Sequence, residues 1–308
     1  MNRIRIALVG IGKIARDQHV QALSRNGAFQ LVAAVSRHQT LDDLPNYTSL
    51  GELLDAQPDV NAVAICTPPQ VRFEVARFAL QHRRHVLLEK PPGATLNEVY
   101  ELIELAHREE VALFAAWHSR EAAAVEPARR WLATRKLRSV DVTWKDDVRV
   151  WHPGQTGIWK AGGLGVFDPG INALSIVTQI LRDKLVLKDA ELSFPSNCDA
   201  PIAASLRLTN AHGTPVRMEL DFLQTGPPTW DIEIATDAGR LRLSRGGAVM
   251  QIDDQSPFEA PDNEYGSLYA RFETLVREGR VDVDLEPFRL VADAFLCGRR
   301  VVVEPLTE

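Results

Sequence analysis

Hydrophobic positions in the first 118 residues come in short unbroken runs, separated by stretches of helical spacing. Residues 4–9, 30–35, 60–66, 85–89 and 111–117 read as strands buried on both faces. Residues 19–24, 49–56, 71–81 and 96–109 read as helices, and Thr95 with Glu98 has the form of a capping box before the last of them. Strands and helices in alternation predict an α/β fold whose parallel sheet is covered on both sides. The pattern changes after residue 118. A helix over 122–134 leads into 137–150, which alternates like a strand with one wet face. Gly162-Gly163-Leu164-Gly165 precedes a helix reaching about residue 181. Residues 206–208 and 217–220 flank Asn210-Ala211-His212-Gly213, and 232–234 and 241–243 flank Asp237-Ala238-Gly239; both are hairpin signatures. Helical spacing returns over 268–276 and 287–297. Two domains are expected: residues 1–118, and an α+β domain over 119–308 built on a mainly antiparallel open sheet.

Directly behind the first strand stands Gly10-Ile11-Gly12-Lys13-Ile14-Ala15, with a helix after it. Strand, glycine turn and helix in that order form the dinucleotide fingerprint of a Rossmann domain, in its Gly-x-Gly-x-x-Ala form. Gly10 makes the tight turn, Gly12 lets the backbone approach a pyrophosphate, and Ala15 lets the helix pack closely. Lys13 and Ile14 lie at the helix entrance, where unpaired N–H groups face the phosphates. In an NAD-binding domain an acidic residue ends the second strand and holds the ribose 2′-hydroxyl. Here that position reads Ser36-Arg37-His38. A guanidinium and a hydroxyl suit a 2′-phosphate, so NADP is expected to be preferred over NAD.

Composition narrows the classes. A net charge of −6 gives no electrostatic footprint for nucleic acid, and no basic run favours an anionic membrane surface. No apolar stretch is long enough to span a bilayer, and the N-terminal residues lack the layout of a signal peptide. Three scattered cysteines, Cys66, Cys198 and Cys297, fit reduced thiols in a cytoplasmic protein better than a disulfide or zinc framework.

Substrate in an open parallel sheet binds beyond the carboxyl ends of the strands. Two such ends carry chemistry. Cys66-Thr67-Pro68-Pro69 is a stiff turn expected to lie against the cofactor, and Glu89-Lys90-Pro91-Pro92 delivers an ammonium to the same edge. With the glycine fingerprint and the antiparallel second domain, these motifs resemble the glucose-fructose oxidoreductase, inositol dehydrogenase and rhizopine catabolism (Gfo/Idh/MocA) family over essentially the whole chain. Within it, residues 11–19, Trp151-His152-Pro153-Gly154-Gln155 and Gly165-Val166-Phe167-Asp168-Pro169-Gly170-Ile171-Asn172 are similar to those of bacterial aldose 1-dehydrogenases acting on L-arabinose and D-galactose.

The resemblance implies oxidation of an aldose at its anomeric carbon to the aldonolactone. Much of the family carries Asp-x-x-x-His after the Glu-Lys-Pro motif, and that histidine often serves as base. This chain has Asn172 at the histidine position, and an amide cannot take a proton at neutral pH. Asp168 or Lys90 is then the base, with Asn172 orienting the sugar. Asp168 before Pro169 also reads as a helix N-cap. His118, Asp146, Trp151, His152 and Trp230 are candidates for contacts with sugar hydroxyls and the sugar's C–H face; for the histidines and tryptophans the alternative is structural packing. Asp147 lies in the same stretch. No metal is expected, since the histidines lack a His-x-x-x-His spacing. A polyol or inositol dehydrogenase and a dinucleotide-binding sensor that does not turn over are the alternatives. A homodimer through the C-terminal sheet is expected, because an open sheet face is usually covered.

Overall fold

The structure is a computed structural model that describes residues 2–151 and 153–307. The chain forms two compact units. One holds the residues up to His118 together with Glu264–Asp284; the other holds Ser119–Asn263 together with the residues from Leu285 onward.

The first unit contains β1 (Ile4–Val9), β2 (Phe29–Val35), β3 (Asn46–Tyr47), β4 (Ala62–Ile65), β5 (His85–Glu89) and β6 (Leu113–Ala116). Between them run α1 (Val20–Arg25), entered through a π-helical turn at Ala15–His19, then α2 (Leu50–Ala56), α3 (Pro69–Gln81) and α4 (Leu96–Glu109). Every ladder is parallel, in the order β6-β5-β4-β1-β2-β3. Both faces of the sheet are buried: Ile6, Leu8, Ala64 and Leu87 pack on one side, and Val9, Val35, Val63, Ile65 and Leu88 on the other. Unbroken apolar strands are what a sheet covered on both faces requires. Thr95 and Glu98 close the capping box at the start of α4.

The second unit opens with α5 (Val125–Leu132), β7 (Leu137–Lys145), α6 (Val148–Trp151) and α7 (Phe167–Ile180). Strands β8 (Val186–Pro195), β9 (Ala203–Thr209), β10 (Pro215–Asp221), β11 (Thr229–Thr236), β12 (Gly239–Ser244), β13 (Val249–Ile252) and β14 (Phe258–Glu259) follow. Beyond α8 (Glu264–Glu278) and β15 (Val281–Asp282), the chain ends with α9 (Glu286–Cys297) and β16 (Arg299–Val303). The sheet of this unit runs β14-β13-β12-β11-β7-β10-β9-β8-β16. It is mainly antiparallel, with parallel pairs at β7–β10 and β8–β16. The strand read over 137–150 stops at Lys145. The Asp147 carboxylate accepts the Arg149 N–H at 3.0 Å, a local turn that diverts the chain into α6.

A boundary at residue 118 with everything beyond it in the second domain does not hold for Glu264–Asp284. Tyr265, Leu268, Tyr269, Phe272 and Leu275 form one buried stripe of α8, which packs into the core of the first unit. Phe272 stacks on Phe29 and Phe114 at centroid distances of 5.9 and 6.3 Å. β15 adds a parallel strand beside β6.

The sheet of the second unit alternates sharply. Val140, Val142, Trp144, Leu206, Leu208, Met218, Ile232, Ile234, Leu241 and Leu243 are buried. The other face is polar and ordered in rows. Across β8, β9, β10, β7, β11 and β12, register neighbours read Asp189, Arg207, Arg217, Asp141, Glu233 and Arg242. The next row reads Glu191, Ser205, Glu219, Thr143 and Asp231.

Candidate active site

Parallel pairing brings the expected cofactor residues to one edge of the first sheet, the carboxyl ends of β1, β2, β4 and β5. Gly10 has φ +89°, and a Cβ there would stand 2.7 Å from the Thr67 nitrogen and 2.9 Å from the Cys66 carbonyl carbon. Only glycine fits this turn. At Gly12 the opposite holds: nothing lies within 4 Å of where a Cβ would be, so bare backbone faces open space. The Thr67 Oγ1 is buried and has no hydrogen-bond partner among the described residues. An obligate glycine turn, an open backbone beside it and an unsatisfied buried hydroxyl fit a dinucleotide. Ile14 and Lys13 are exposed at the helix entrance, with Lys13 paired to Asp17. The Ser36 Oγ accepts the backbone N–H groups of His38 and Gln39 at 3.4 and 3.3 Å, shaping the turn after β2. Arg37 and His38 are exposed there. Arg16 reaches the same turn, donating to the Gln39 side chain and the Thr40 carbonyl. Pro68 precedes α3, which starts at Pro69.

Glu89, expected only as a neighbour of the cofactor, is the centre of a buried network. Its Oε1 meets His19 Nε2 at 2.9 Å and accepts the Tyr265 hydroxyl at 2.7 Å. Its Oε2 accepts the backbone N–H of Lys90 at 2.9 Å. On the far side of the imidazole, His19 Nδ1 lies 2.7 Å from the Tyr269 hydroxyl. Burial opposes charge on Glu89, but His19, His118 and Tyr265 outweigh it and hold the carboxyl at about 2. Burial also opposes charge on His19, yet Cys66, Tyr269 and Glu89 raise its pKa well above the ordinary range. The two form an ion pair with side-chain exposures of 0% and 5%. Burial pushes Tyr269 up to about 12 and, with Glu89 beside it, Tyr265 well above the ordinary tyrosine value.

Lys90 is half-buried at the end of β5. The buried Arg72 of α3 ties the neighbouring backbone together, donating to the carbonyls of Thr67, Glu89 and Pro91. His118 lies just past β6. Its Nδ1 is 2.6 Å from Glu264 Oε2, and its ring stacks on Tyr265 at 5.6 Å.

In the second unit, α7 is buried along nearly its whole length, and Asp168 and Asn172 are half-buried one turn apart on it. Asp168 is not the N-cap. The helix starts at Phe167 with Val166 as cap, and backbone carbonyls already satisfy its leading N–H groups: Val166 donates to Pro201 at 2.7 Å, Phe167 to Leu164 at 3.1 Å and Asp168 to Gly165 at 2.9 Å. Capping does not require the Asp168 carboxylate, which stands in the first turn where the helix dipole favours a negative charge. Asp146 is buried, and its Oδ2 accepts the Trp230 indole N–H at 3.1 Å. Trp230 lies between Trp144 and Trp151, with centroids 6.1 and 5.2 Å away. Trp144 is core, whereas Trp151 is 45% exposed. Asp147 pairs with Arg149. His152 lies outside the described residues. Among those described, no three His, Cys, Asp or Glu side chains converge as metal ligands.

Five residues of this region escape sequence reading: His19, Arg72, Glu264, Tyr265 and Tyr269. His19 and Arg72 sit on ordinary helical stretches. The other three lie about 150 residues beyond the sheet they serve. The available signal was polar residues at positions where helical spacing demands burial.

A family model described as an oxidoreductase family with an NAD-binding Rossmann fold matches residues 4–117. Galactose 1-dehydrogenase from Pseudomonas fluorescens is 48% identical over 304 residues, 99% of each chain. The crystal structure of a D-galactose-1-dehydrogenase from Rhizobium etli matches with a TM-score of 0.96 at 52% identity, covering 100% of this chain and 99% of that one. A 3-ketoreductase from Actinomadura kijaniata, solved with NADP and TDP-benzene, shares the fold at 20% identity with a TM-score of 0.84, over 98% of this chain and 100% of its own.

The buried pair makes stability depend on pH with a fixed sign. The Glu89 pKa is depressed, so its share is complete above the ordinary 4.5 and is lost as pH falls toward about 2. The His19 pKa is raised, so its share is complete below 6.5 and is lost as pH rises through its folded value. Thermal unfolding midpoints should be highest between about pH 4.5 and 6.5. The His19→Gln variant should lose part of the decline on the alkaline side. If it follows the wild-type curve there, His19 is not charged in the folded protein.

Proposed function

The chain belongs to the Gfo/Idh/MocA oxidoreductase family, and from that membership we propose that it is an NAD(P)-dependent aldose 1-dehydrogenase acting on D-galactose. Whole-length similarity to galactose 1-dehydrogenases, at about half of all positions, carries this reading. L-Arabinopyranose has the same ring configuration and lacks only the C5 hydroxymethyl group. Such a group is worth about 1–3 kcal/mol of discrimination, so L-arabinose is a second substrate rather than an excluded one.

The nicotinamide, when bound, supplies the hydride acceptor. Gly10, Gly12 and the entrance of the π-helical turn hold the pyrophosphate, with Cys66, Thr67 and Pro68 alongside. Ser36 and Arg37 meet a 2′-phosphate, which makes NADP the preferred cofactor. Asp168 accepts the proton of the anomeric hydroxyl as the C1–H bond breaks, and C1 and O1 become the carbonyl of the lactone. Lys90 stabilises the negative charge developing on that oxygen. Asn172 orients the sugar through its amide. Trp151 and Trp230 offer rings to the sugar's C–H face, and His118 offers a further polar contact.

The open face of the second sheet supports a homodimer with a defined axis. Its central row reads −, +, +, −, −, + from β8 to β12, and reversal gives the opposite sign at every position. A two-fold axis along the strands, between β10 and β7, sets Asp141 against the partner's Arg217, Glu233 against the partner's Arg207, and Arg242 against the partner's Asp189. In the next row Glu219 meets the partner's Thr143 and Asp231 the partner's Ser205. An axis across the strands would set like charges together.

Reduction of NADP should be observed with D-galactose and L-arabinose, and not with inositol; failure with every aldose would overturn the reading. Lys90→Ala and Asp168→Ala should each lower kcat by about 10²–10⁴-fold, with NADPH binding, followed by its fluorescence, retained. Near-normal turnover in either would remove that residue from the chemistry. Arg37→Ala should raise KM for NADP and leave KM for NAD little changed; equal effects on both would dissociate Arg37 from cofactor choice. In sedimentation, Asp141→Arg or Arg217→Asp alone should yield monomers and the double exchange should restore dimers. A double exchange no better than either single one would exclude the axis.

A further inference from the structure

We propose that the buried ion pair of His19 and Glu89 is the positioning device for Lys90, tying its backbone to the helix that follows the glycine turn. The inference deepens the proposed function and rests on Lys90 being part of the chemistry. Three observations carry it. First, the pair is nearly sealed from solvent, with side-chain exposures of 0% and 5%. Replacing such a pair by apolar residues of similar volume is often neutral or stabilising, so stability alone does not account for charges buried here. Second, the two carboxylate oxygens face different tasks. Oε1 is gripped by His19 and Tyr265, whereas Oε2 holds the Lys90 N–H at 2.9 Å. The carboxylate cannot rotate without breaking contacts on both sides. Third, His19 is the last residue of the π-helical turn Ala15–His19, which begins on the last residue of the glycine fingerprint. π-Helical turns are concentrated at functional sites. The Tyr269 hydroxyl, 2.7 Å from Nδ1, fixes the other side of the imidazole.

The chain of contacts therefore runs from the phosphate turn through His19 and Glu89 to the Lys90 backbone. Arg72 anchors the same backbone from α3 through the carbonyls of Glu89 and Pro91. A lysine ammonium sits on a flexible four-carbon stem. Fixing its base restricts where the ammonium can reach. His19 touches neither the sugar nor the reacting atoms in this account; it acts through Glu89.

The test compares His19→Leu, His19→Gln and Tyr269→Phe with wild type. In His19→Leu, kcat with D-galactose and NADP should fall about 100-fold, the scale of a misplaced reacting group, while KM for the sugar and Kd for NADPH change little. His19→Gln restores an N–H donor and should recover part of the loss. Tyr269→Phe should show a smaller loss of the same kind, and keeps the proposal testable if His19→Leu does not fold. A second readout is independent of activity: reductive ¹³C-methylation, with the Lys90 resonance assigned from Lys90→Arg. That resonance should move toward the shift of exposed lysines in the His19 variants. If wild type oxidises no sugar, the proposed function fails while the resonance still tests the positioning. Folded His19 variants with wild-type kcat, or with an unmoved Lys90 resonance, would overturn the proposal.

Discussion

Parallel hydrogen bonding is the constraint from which the first unit follows. Because β1, β2, β4, β5 and β6 run in one direction, the residues after each strand arrive at a common edge. The glycine turn, the Ser36 turn, Thr67, Lys90 and His118 are neighbours of that edge for this reason, although more than 100 residues separate the first from the last. The arrangement also sets a problem. Strand ends are where loops begin, and loops are the mobile part of a fold. Here buried polar groups hold them. Arg72 stitches the Thr67 turn to the β5 exit, and the Glu89 carboxylate joins that exit to the first helix.

Much of this was legible in the sequence because two periodicities report burial directly. Unbroken apolar runs marked the strands of the parallel sheet, and the glycine fingerprint marked its cofactor edge. Asp168 and Asn172 stand out only through the resemblance to the family's Asp-x-x-x-His motif, whose spacing they match. What stayed hidden depends on long-range packing. The α8 stripe has an ordinary amphipathic pattern, and nothing local in it says which core it enters. His19 looked like one more position on a short helix. Asp168 was read as a helix cap because Asp-Pro usually is one. The structure starts that helix two residues earlier, since the Pro201, Leu164 and Gly165 carbonyls take over the capping. The strand expected up to residue 150 ended at Lys145 through a side-chain hydrogen bond that alternation cannot reveal.

The second unit solves a different problem with the same alternation. One face of its sheet packs on α7 and is apolar, while the other is laced with ion pairs such as Arg217 with Asp141 and Arg207 with Asp189. Each such pair is weak when exposed. In the proposed dimer their value would lie in pattern, because a row of signs can distinguish one docking axis from another where an apolar face would accept many.

The placement of α8 has a consequence for how the protein is made. Phe29 and Phe114 belong to the first unit, yet the ring that stacks on both is Phe272. On the ribosome, the entire segment Ser119–Asn263 must emerge before that ring is available. Until then one side of the nascent sheet lacks its aromatic cover, and exposed apolar surface of this kind invites aggregation or chaperone capture. Synthesis of the dinucleotide-binding half is thus completed only near the end of translation, and a gene fragment cut after residue 118 would encode a nucleotide fold without its lid of aromatic side chains.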